Sequence, residues 1–362
     1  MASNLDAWKL INAIARLSGL RTNPRNLRAF VHHNSIKKLR NFMLANLEFR
    51  RREVALKSLP VTLFVEPTNL CNLRCPLCPT GAGEYGRSRT IKMSERDFKR
   101  IIDEIGDYLY WVNLFNFGEP LLNKDVPLMI GYAHEKGVST CISTNGMLVD
   151  DQMAEALVRS KLDCLTFSID GLTPETYSKY RVGGNFDKVI ENLKRVVEWK
   201  RKLDSSLPFI EWQFLVFKHN QHEVGKVEQF ARALGANGTY IRNASTSTDT
   251  ENRDEALKLT LSGEERKKYP EAAIGWGKVC DFLWFTITVN NDGGVSPCCL
   301  AYNKDDDFGN FFNQDSSLRE IWNNDDYIVA RRIFRDGRLP LEKDIICNTC
   351  SIANGFLQSK IK

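Results

Sequence analysis

The sequence has no long hydrophobic run, which excludes one broad class of protein. No uninterrupted apolar stretch among its 362 residues approaches the roughly 20 that a transmembrane helix needs. The segment Met1 to Asp6 is not a charged region followed by an apolar one, so we expect no secretory signal. Low-complexity tracts are absent too, as are internal repeats beyond an alternation of strand and helix patterns. We therefore expect a globular protein of the cytoplasm.

The chain also lacks a strong overall charge, but its charge is unevenly distributed. The net charge is +5, with 43% hydrophobic and 26% charged residues, as is ordinary for a globular protein. Residues 1–60 carry 12 Lys or Arg and 3 Asp or Glu, whereas the remainder carries 38 and 42. Apolar residues in this first part recur at helical spacing, such as Trp8 with Ile11, and Leu39 with Phe42, Met43 and Leu47. Residues 1–60 are thus predicted to form a basic helical N-terminal arm.

Such an arm allows two interpretations. A basic amphipathic helix can lie on an anionic membrane, or hold an acidic peptide or a phosphorylated substrate. Alternatively, the arm packs on the following domain and its charges are simply solvated. We favour packing over membrane-surface contact because mixed faces are common on ordinary surface helices. No nucleic-acid partner is expected.

A disulfide framework is not expected either, although the chain has ten cysteines. Cysteines without a secretory signal favour metal or redox chemistry. Cys71, Cys75 and Cys78 follow an apolar run at 61–65 that reads as a buried strand. Three thiolates from one loop can hold a metal centre with one open position, whereas structural zinc takes four closed ligands. Part of a zinc ribbon and free loop thiols are the alternatives.

Between residues 61 and 245, short apolar strands alternate with amphipathic helices. The strands are predicted at 61–66, 111–116, 138–142, 164–169, 210–217 and 238–242, with helices near 94–107, 125–136, 150–160, 186–203 and 222–234. Ser94 with Asp97 is typical of a helix-start cap. The alternation predicts an α/β fold, a partial (βα)6 TIM-like barrel with its site at the C-terminal strand ends. A flat doubly wound sheet fits the same pattern.

The rest of the chain predicts a linker and a second, smaller domain. Residues 246–275 are polar and charged, as in a linker. Residues 276–362 are expected to form a small C-terminal α+β domain. Its predicted elements are a strand at 282–289, a turn at 291–294, a returning strand at 295–299 and helices at 317–322 and near 326–336.

The spacing Cys71-x3-Cys75-x2-Cys78 after a first strand resembles the radical S-adenosylmethionine (radical SAM) enzymes. In that family, three cysteines hold an iron–sulfur cubane whose fourth iron chelates the methionine end of the cofactor. Further segments resemble the family's SAM-binding residues: Leu77, Gly118, Glu119, Pro120, Ser143, Asn145, Ser168, Asp170 and Arg181. Phe117 stands where the family usually has another glycine.

The resemblance implies particular roles for some of these residues. Glu119 would receive the cofactor's amino group, and Leu77 would offer an apolar surface to its adenine. Arg181 would bind the methionine carboxylate, since a guanidinium fork suits a carboxylate. The serines, Asn145 and Asp170 belong to segments that face the ribose and the carboxylate.

A second cysteine set resembles the SPASM/Twitch extension of radical SAM enzymes. Its members are Cys280, Cys298, Cys347 and Cys350, with Gly293 between the first two. Four thiolates fit one auxiliary 4Fe–4S cluster with no open position, although zinc could use the same four.

Three further cysteines lie outside these ligand sets. Cys299 is open to three roles: alternate ligand, hydrogen-atom donor or packed thiol. Cys141 and Cys164 fall in predicted strands and are expected in the core.

The resemblance covers about residues 61–355 and implies SAM and two 4Fe–4S clusters, with an electron donor such as flavodoxin or ferredoxin. Reductive cleavage of SAM would give a 5′-deoxyadenosyl radical that abstracts a substrate hydrogen. The auxiliary cluster favours an oxidoreductase that converts a small polar substrate, such as a sugar or aminocyclitol alcohol, to a ketone. Modification of a ribosomally made peptide, and epimerisation with Cys299 as hydrogen donor, are the alternatives. The non-enzyme hypothesis is a zinc-stapled binding protein.

Overall fold

A nine-stranded sheet forms the centre of the protein in the computed structural model. The structure describes residues 33–88, 92–244, 258–269, 279–313, 316–340 and 343–361. The strands are β1 Thr62–Val65, β2 Trp111–Asn113, β3 Ser139–Thr144, β4 Cys164–Ser168, β5 Phe209–Val216, β6 Gly238–Asn243, β7 Thr286–Val289, β8 Gly294–Ser296 and β9 Gly309–Asn310.

The strand order confirms the barrel and excludes the doubly wound alternative. The sheet runs β6-β5-β4-β3-β2-β1-β7-β8-β9, and β1 to β6 are all parallel to their neighbours. A doubly wound sheet reverses its order at a switch point, whereas here every crossover steps to the next strand. The C-terminal ends of all six strands therefore open on one face.

The helices flank this sheet as the periodic apolar patterns predict. They are α1 Ile36–Arg51, α2 Pro79–Ala82, α3 Glu95–Ile105, α4 Val126–Glu135, α5 Asp151–Arg159, α6 Pro174–Tyr180, α7 Phe186–Lys202, α8 Val224–Ala233, α9 Gly263–Lys267, α10 Phe282–Phe285, α11 Leu318–Ile321, α12 Asp325–Asp336 and α13 Ser351–Ile361. Ser94 caps α3 as predicted, since its hydroxyl accepts a hydrogen bond from the Asp97 amide at 3.1 Å. Phe98, Ile101 and Ile105 of that helix are fully buried against the sheet, so its apolar stripe faces the core.

Helix α1 is the described part of the basic arm, and it packs against the barrel. Phe42 and Ala45 are buried in the main core. The side chain of Asn41 bonds both the amide and the carbonyl of Leu59, each at 2.9 Å. Met43 and Leu47, predicted on an apolar stripe, are exposed instead. These contacts agree with the packed interpretation for α1, while the predicted helical positions before residue 33 lie outside the described residues.

The C-terminal part of the chain extends the barrel sheet. Strand β7 pairs in parallel with β1, and β8 and β9 continue antiparallel from it. Arg87, from the segment after α2, is buried between Asp307 and Asp292 of this extension, with Nη2–Oδ1 and Nη1–Oδ1 distances of 2.5 and 3.3 Å. The extension is therefore tied to the barrel by both backbone pairing and a buried ion pair.

One predicted strand is only half correct. Residues 282–285 form the helical turn α10, and the strand begins at Thr286. The indole of Trp284 donates to the Glu53 carbonyl at 2.9 Å, and Arg331 donates to the Leu283 carbonyl at 2.8 Å. Tertiary hydrogen bonds thus override the β propensity of this aromatic run.

The described part of the predicted linker, 258–269, includes helix α9. The Asn243 side chain, at the end of β6, donates to the carbonyls of Arg266 and Tyr269 at 2.7 and 2.8 Å. None of the helices that the structure describes combines the length and apolar content needed to cross a membrane. The proposed division of the chain into four segments stays a prediction.

Candidate functional site

The three N-terminal cysteines lie in one loop at the C-terminal end of β1. Cys78 is the residue before α2, and its amide donates to the Cys75 carbonyl at 3.1 Å. Gly81 of α2 packs directly on this loop, because a Cβ there would lie 2.4 Å from the Cys75 carbonyl oxygen. A larger residue at 81 would push the loop away. The loop therefore has a defined shape without any bound group.

The sulfur atoms of this loop are surrounded by hydrogen-bond donors. Arg181 Nη1 and Asn145 Nδ2 each lie 3.9 Å from a sulfur, of Cys75 and Cys71 respectively, and the Leu73 amide donates to Cys71 Sγ at 3.4 Å. Burial raises the thiol pKa of Cys71 to about 12 and that of Cys75 to about 11. The free thiols are thus protonated near neutral pH, and a metal centre would have to displace those protons.

Glu119 is buried beside the cysteine loop. Its carboxylate accepts hydrogen bonds from Thr144 Oγ1 at 2.7 Å, the Asn145 amide at 2.8 Å and the Leu121 amide at 3.2 Å. Burial raises the pKa of this carboxyl. Its own amide donates to the Leu70 carbonyl at 2.7 Å, which joins the loop after β2 to the cysteine loop.

Gly118 allows this close approach. A Cβ at Gly118 would lie 1.9 Å from the Thr68 carbonyl oxygen, so no side chain fits there. Pro120 then begins the 3₁₀ turn Pro120–Leu122. The Gly118-Glu119-Pro120 segment is therefore fixed by backbone packing against the cysteine loop.

Asp170 and Arg181 form a buried ion pair on the other side of the loop. Arg181 Nε donates to Asp170 Oδ2 at 2.6 Å, and the Leu215 amide donates to Oδ1, also at 2.6 Å. Burial raises the pKa of Asp170, an effect that the charge of Arg181 opposes. Since Arg181 also reaches Cys75, this pair links the end of β4 to the cysteine loop.

The remaining predicted cofactor residues occupy two different surroundings. Ser143 and Ser168 lie on β3 and β4 with their hydroxyl oxygens 3.2 Å apart. Leu77 is buried in a small apolar cluster with Tyr180 and Phe217. All nine predicted SAM-site residues thus lie on the strand ends and loops around the cysteines.

Glu66 is a buried carboxyl at this site that was not predicted from the sequence. It directly follows β1 and is fully buried, and burial raises its pKa to about 7. Tyr85 donates to its Oε2 at 2.7 Å, and the Phe117 amide donates to Oε1 at 3.3 Å. A polar residue at the C-terminal end of a parallel strand is the signal that could have identified Glu66.

Phe117, which departs from the family's usual glycine, is part of an aromatic cluster. Its ring centroid lies 5.5 Å from that of Tyr85 and 5.7 Å from that of Tyr302, and the two tyrosines are 6.4 Å apart. Tyr302 belongs to the C-terminal extension. The aromatic side chain at position 117 therefore forms a contact between the C-terminal face of the barrel and that extension.

The C-terminal cysteines are partly buried and electrostatically coupled. Burial raises the pKa of Cys298 to about 11, and it also raises the pKa values of Cys280 and Cys347. The charge of Cys347 interacts with those of Cys280, Cys298 and Cys350, so the structure brings all four together. Burial likewise raises the pKa of Cys299 to about 12.

The cysteine side chains indicate which kinds of metal centre fit. Cys71, Cys75 and Cys78 share one loop, and the C-terminal cysteines are partly buried free thiols. Thiolates are ligands for both iron–sulfur clusters and zinc. The side chains present therefore fit either kind of centre. Cys141 and Cys164, each 1% exposed, are core residues as predicted.

Comparison with family models finds two matches. Residues 65–202 match the radical SAM superfamily, and residues 280–351 match SPASM, an iron–sulfur cluster-binding domain. The first match spans β1 to α7, with the cysteine loop, Glu119 and Arg181. The second spans the C-terminal cysteine set.

Individual relatives match over parts of the chain. An Fe-coproporphyrin III synthase of Methanosarcina barkeri is 36% identical over 136 residues, 36% of this chain and 32% of that protein. A PqqA peptide cyclase of Granulibacter bethesdensis is 29% identical over 184 residues, 51% of this chain and 47% of that protein. The chain thus spans less than half the length of either.

A solved structure shares the fold. The crystal structure of Streptococcus suis SuiB bound to precursor peptide SuiA has a TM-score of 0.60 at 16% identity, covering 80% of this chain and 70% of that one. Identity at this level establishes a common fold only.

Proposed function

The chain is a radical SAM superfamily enzyme with a C-terminal SPASM domain, and we propose that it modifies a ribosomally made peptide. The observation that carries the proposal is the alignment of half of the chain with a PqqA peptide cyclase. The fold shared with SuiB, whose structure holds a precursor peptide, supports it. Oxidation of a sugar or aminocyclitol, the first expectation from sequence, has no such support among these relatives.

We assign the metal ligands by their placement. Cys71, Cys75 and Cys78 would hold the cluster that binds SAM, since the loop supplies three sulfurs and no fourth. When bound, this cluster and SAM would supply a 5′-deoxyadenosyl radical that takes hydrogen from a substrate carbon. Arg181 and Asn145 would stabilise the thiolates, because their N–H groups already lie near two of the sulfurs.

Glu119 and Arg181 would bind the two charged groups of the cofactor's methionine end. Glu119 is desolvated and, among the described residues, accepts three hydrogen bonds and pairs with no cation, so a ligand ammonium would offset the cost of its charge. Asp170 accepts a hydrogen bond from Nε of Arg181 and Nη1 lies near Cys75, so Nη2 would be the nitrogen that binds the carboxylate.

Cys280, Cys298, Cys347 and Cys350 would hold an auxiliary 4Fe–4S cluster. Their mutual charge interactions support one shared centre. The basic excess of residues 1–60 would complement an acidic leader peptide.

The test supplies reduced, cluster-reconstituted enzyme with SAM and three substrate sets: candidate precursor peptides, sugars and aminocyclitols. We expect 5′-deoxyadenosine in every productive reaction and a peptide product two hydrogens lighter, as an internal cross-link requires. Tandem mass spectrometry would locate the linked residues. A Glu119→Gln variant should lose both products, whereas Glu228→Gln, an exposed control on α8, should keep them.

Two outcomes would reject the peptide proposal. Loss of two hydrogens from a sugar or aminocyclitol, with all peptides unchanged, would restore the small-substrate hypothesis. Deuterium taken from heavy water into a peptide of otherwise unchanged mass would indicate epimerisation instead, and loss of that uptake in Cys299→Ala would assign the donor.

A further inference from the structure

A separate group of ligand-type side chains lies at the opposite end of the barrel from the cysteine loop. Asp163 directly precedes β4, His134 lies in the last turn of α4, which leads into β3, and His33 precedes α1. All three therefore meet at the N-terminal ends of the strands. In barrels of this kind that face serves stability, while chemistry occupies the other face.

The ligand atoms of this group are close together. Those of His33, His134 and Asp163 all lie within 4.8 Å of one another, the only such group of three among the described residues. His33 Nε2 is 4.0 Å from Asp163 Oδ1, which exceeds hydrogen-bond length. Ligands of one tetrahedral zinc would be about 3.4 Å apart, so modest side-chain movement would close the site.

The carboxylate is already oriented. Asp163 Oδ2 accepts a hydrogen bond from the Thr140 amide at 2.9 Å. This bond leaves the other oxygen directed at His33, and it is the kind of outer contact that fixes metal ligands in place. The side chains of Asp163 and His33 are 7% and 12% exposed.

The ring of His134 has an unsatisfied nitrogen. Its Nδ1 is buried and has no hydrogen-bond partner among the described residues, which is unfavourable for a polar atom. The rings of His33 and His134 meet edge to face, with centroids 5.6 Å apart and an interplanar angle of 87°. A metal ion at Nδ1 would supply the missing partner.

We propose that His33, His134 and Asp163 bind one divalent metal ion of the zinc type. Two imidazoles and one carboxylate suit zinc, whereas magnesium and calcium require oxygen ligands. Three protein ligands leave a fourth position for water. The ion would connect the segment before α1 to the N-terminal end of the barrel, where Lys38 of α1 already donates to the Gly137 carbonyl. Its role would be structural.

The experiment measures zinc in full-length, cluster-reconstituted protein, so that the cysteines are already occupied by iron. After incubation with zinc sulfate and desalting, elemental analysis should find one zinc per chain beyond the iron. His134→Asn and His33→Asn should each lose that zinc with unchanged iron. The control His222→Asn, at an exposed histidine in the 3₁₀ turn Gln221–Glu223, should keep it.

Zinc should also raise the thermal unfolding midpoint of the parent protein but not of His33→Asn. The proposal fails if the parent holds no zinc above the buffer level, or if both histidine variants keep it. Unchanged SAM cleavage in His33→Asn would show that this site is separate from the radical site. If His134→Asn loses iron because it misfolds, the zinc content of His33→Asn alone decides the proposal.

Discussion

At the scale of single residues, the site depends on charges that are buried next to their partners. Glu119 is bonded by three donors, and Asp170 by Arg181 and a backbone amide. A buried ion pair contributes little net stability, but removal of one partner leaves an uncompensated charge. In the proposed cofactor site, these residues would couple cofactor binding to the integrity of the barrel mouth.

Substitution of Arg181 should be costly. Arg181→Met leaves the Asp170 carboxylate buried without a cation, which should destabilise the protein by about 3–5 kcal/mol. The double variant with Asp170→Asn should recover much of that loss, because neither charge then remains. Anaerobic thermal unfolding of the single and double variants measures this, and additive losses would refute the coupling.

Glu66 should make stability depend on pH. Burial raises its pKa from an ordinary 4.5 to about 7, so between these values the folded protein keeps a proton that the unfolded chain releases. This difference in proton binding favours folding at low pH. The free energy of unfolding therefore falls by about 3 kcal/mol in all as the pH rises from 4.5 to 7. Glu66→Gln has no carboxyl proton to release, and its side-chain amide can still accept the hydrogen bond from Tyr85.

The unfolding midpoint of the parent protein should therefore fall relative to Glu66→Gln between pH 5 and pH 8, by several degrees. The unfolding midpoint of Glu228→Gln, a variant at an exposed position on α8, should change with pH in the same way as that of the parent. Parallel curves for Glu66→Gln as well would mean that Glu66 titrates normally.

At the scale of elements, a buried guanidinium connects α12 to several other segments. Arg331 is fully buried and donates to the carbonyls of Leu283 at 2.8 Å, Val54 at 3.0 Å and Trp322 at 2.8 Å. Its guanidinium carbon also lies 4.6 Å from the centroid of the Trp322 ring. One side chain therefore links α12 to α10 and to the segment after α1.

Arg331→Met should leave three carbonyls without this donor and destabilise the protein by about 3 kcal/mol or more. Arg335→Met, on the same helix but paired with Asp336 at the surface, should cost less than about 1 kcal/mol. Thermal unfolding and limited proteolysis of the C-terminal region compare the two. Equal losses of stability in the two variants would mean that helix propensity, and not the buried contacts of Arg331, determines the effect of the substitution.

At the scale of the whole molecule, the two cysteine sets should act as independent iron sites. We expect about eight irons per chain. A Cys71/Cys75/Cys78 triple alanine variant should lose about four, and Cys347→Ala with Cys350→Ala should lose the other four. Cys141→Ala serves as the control. Colourless protein with stoichiometric zinc at the cysteines, even after anaerobic reconstitution, would overturn the radical SAM assignment of the ligands.

Local pattern predicted most of the barrel. The six strands and the helices between them lie within a few residues of their expected positions, because period and capping are local properties. The predicted strand at 282–289 was wrong at its first half, where Trp284 and the Leu283 carbonyl are held by distant partners. Met43 and Leu47 were expected on the packed side of α1, but their exposure depends on where that helix docks.

The sequence by itself determined the class of protein and predicted its ligand residues, since cysteine spacing and strand ends are written in chain order. Tertiary structure alone decided that β7 pairs with β1, that Asp170 neutralises Arg181, and that Glu66 is buried under Tyr85 and Phe117. It also brought His33, His134 and Asp163 together from three distant segments. Contacts of this kind depend on how the crossovers stack, and no local pattern carries that information.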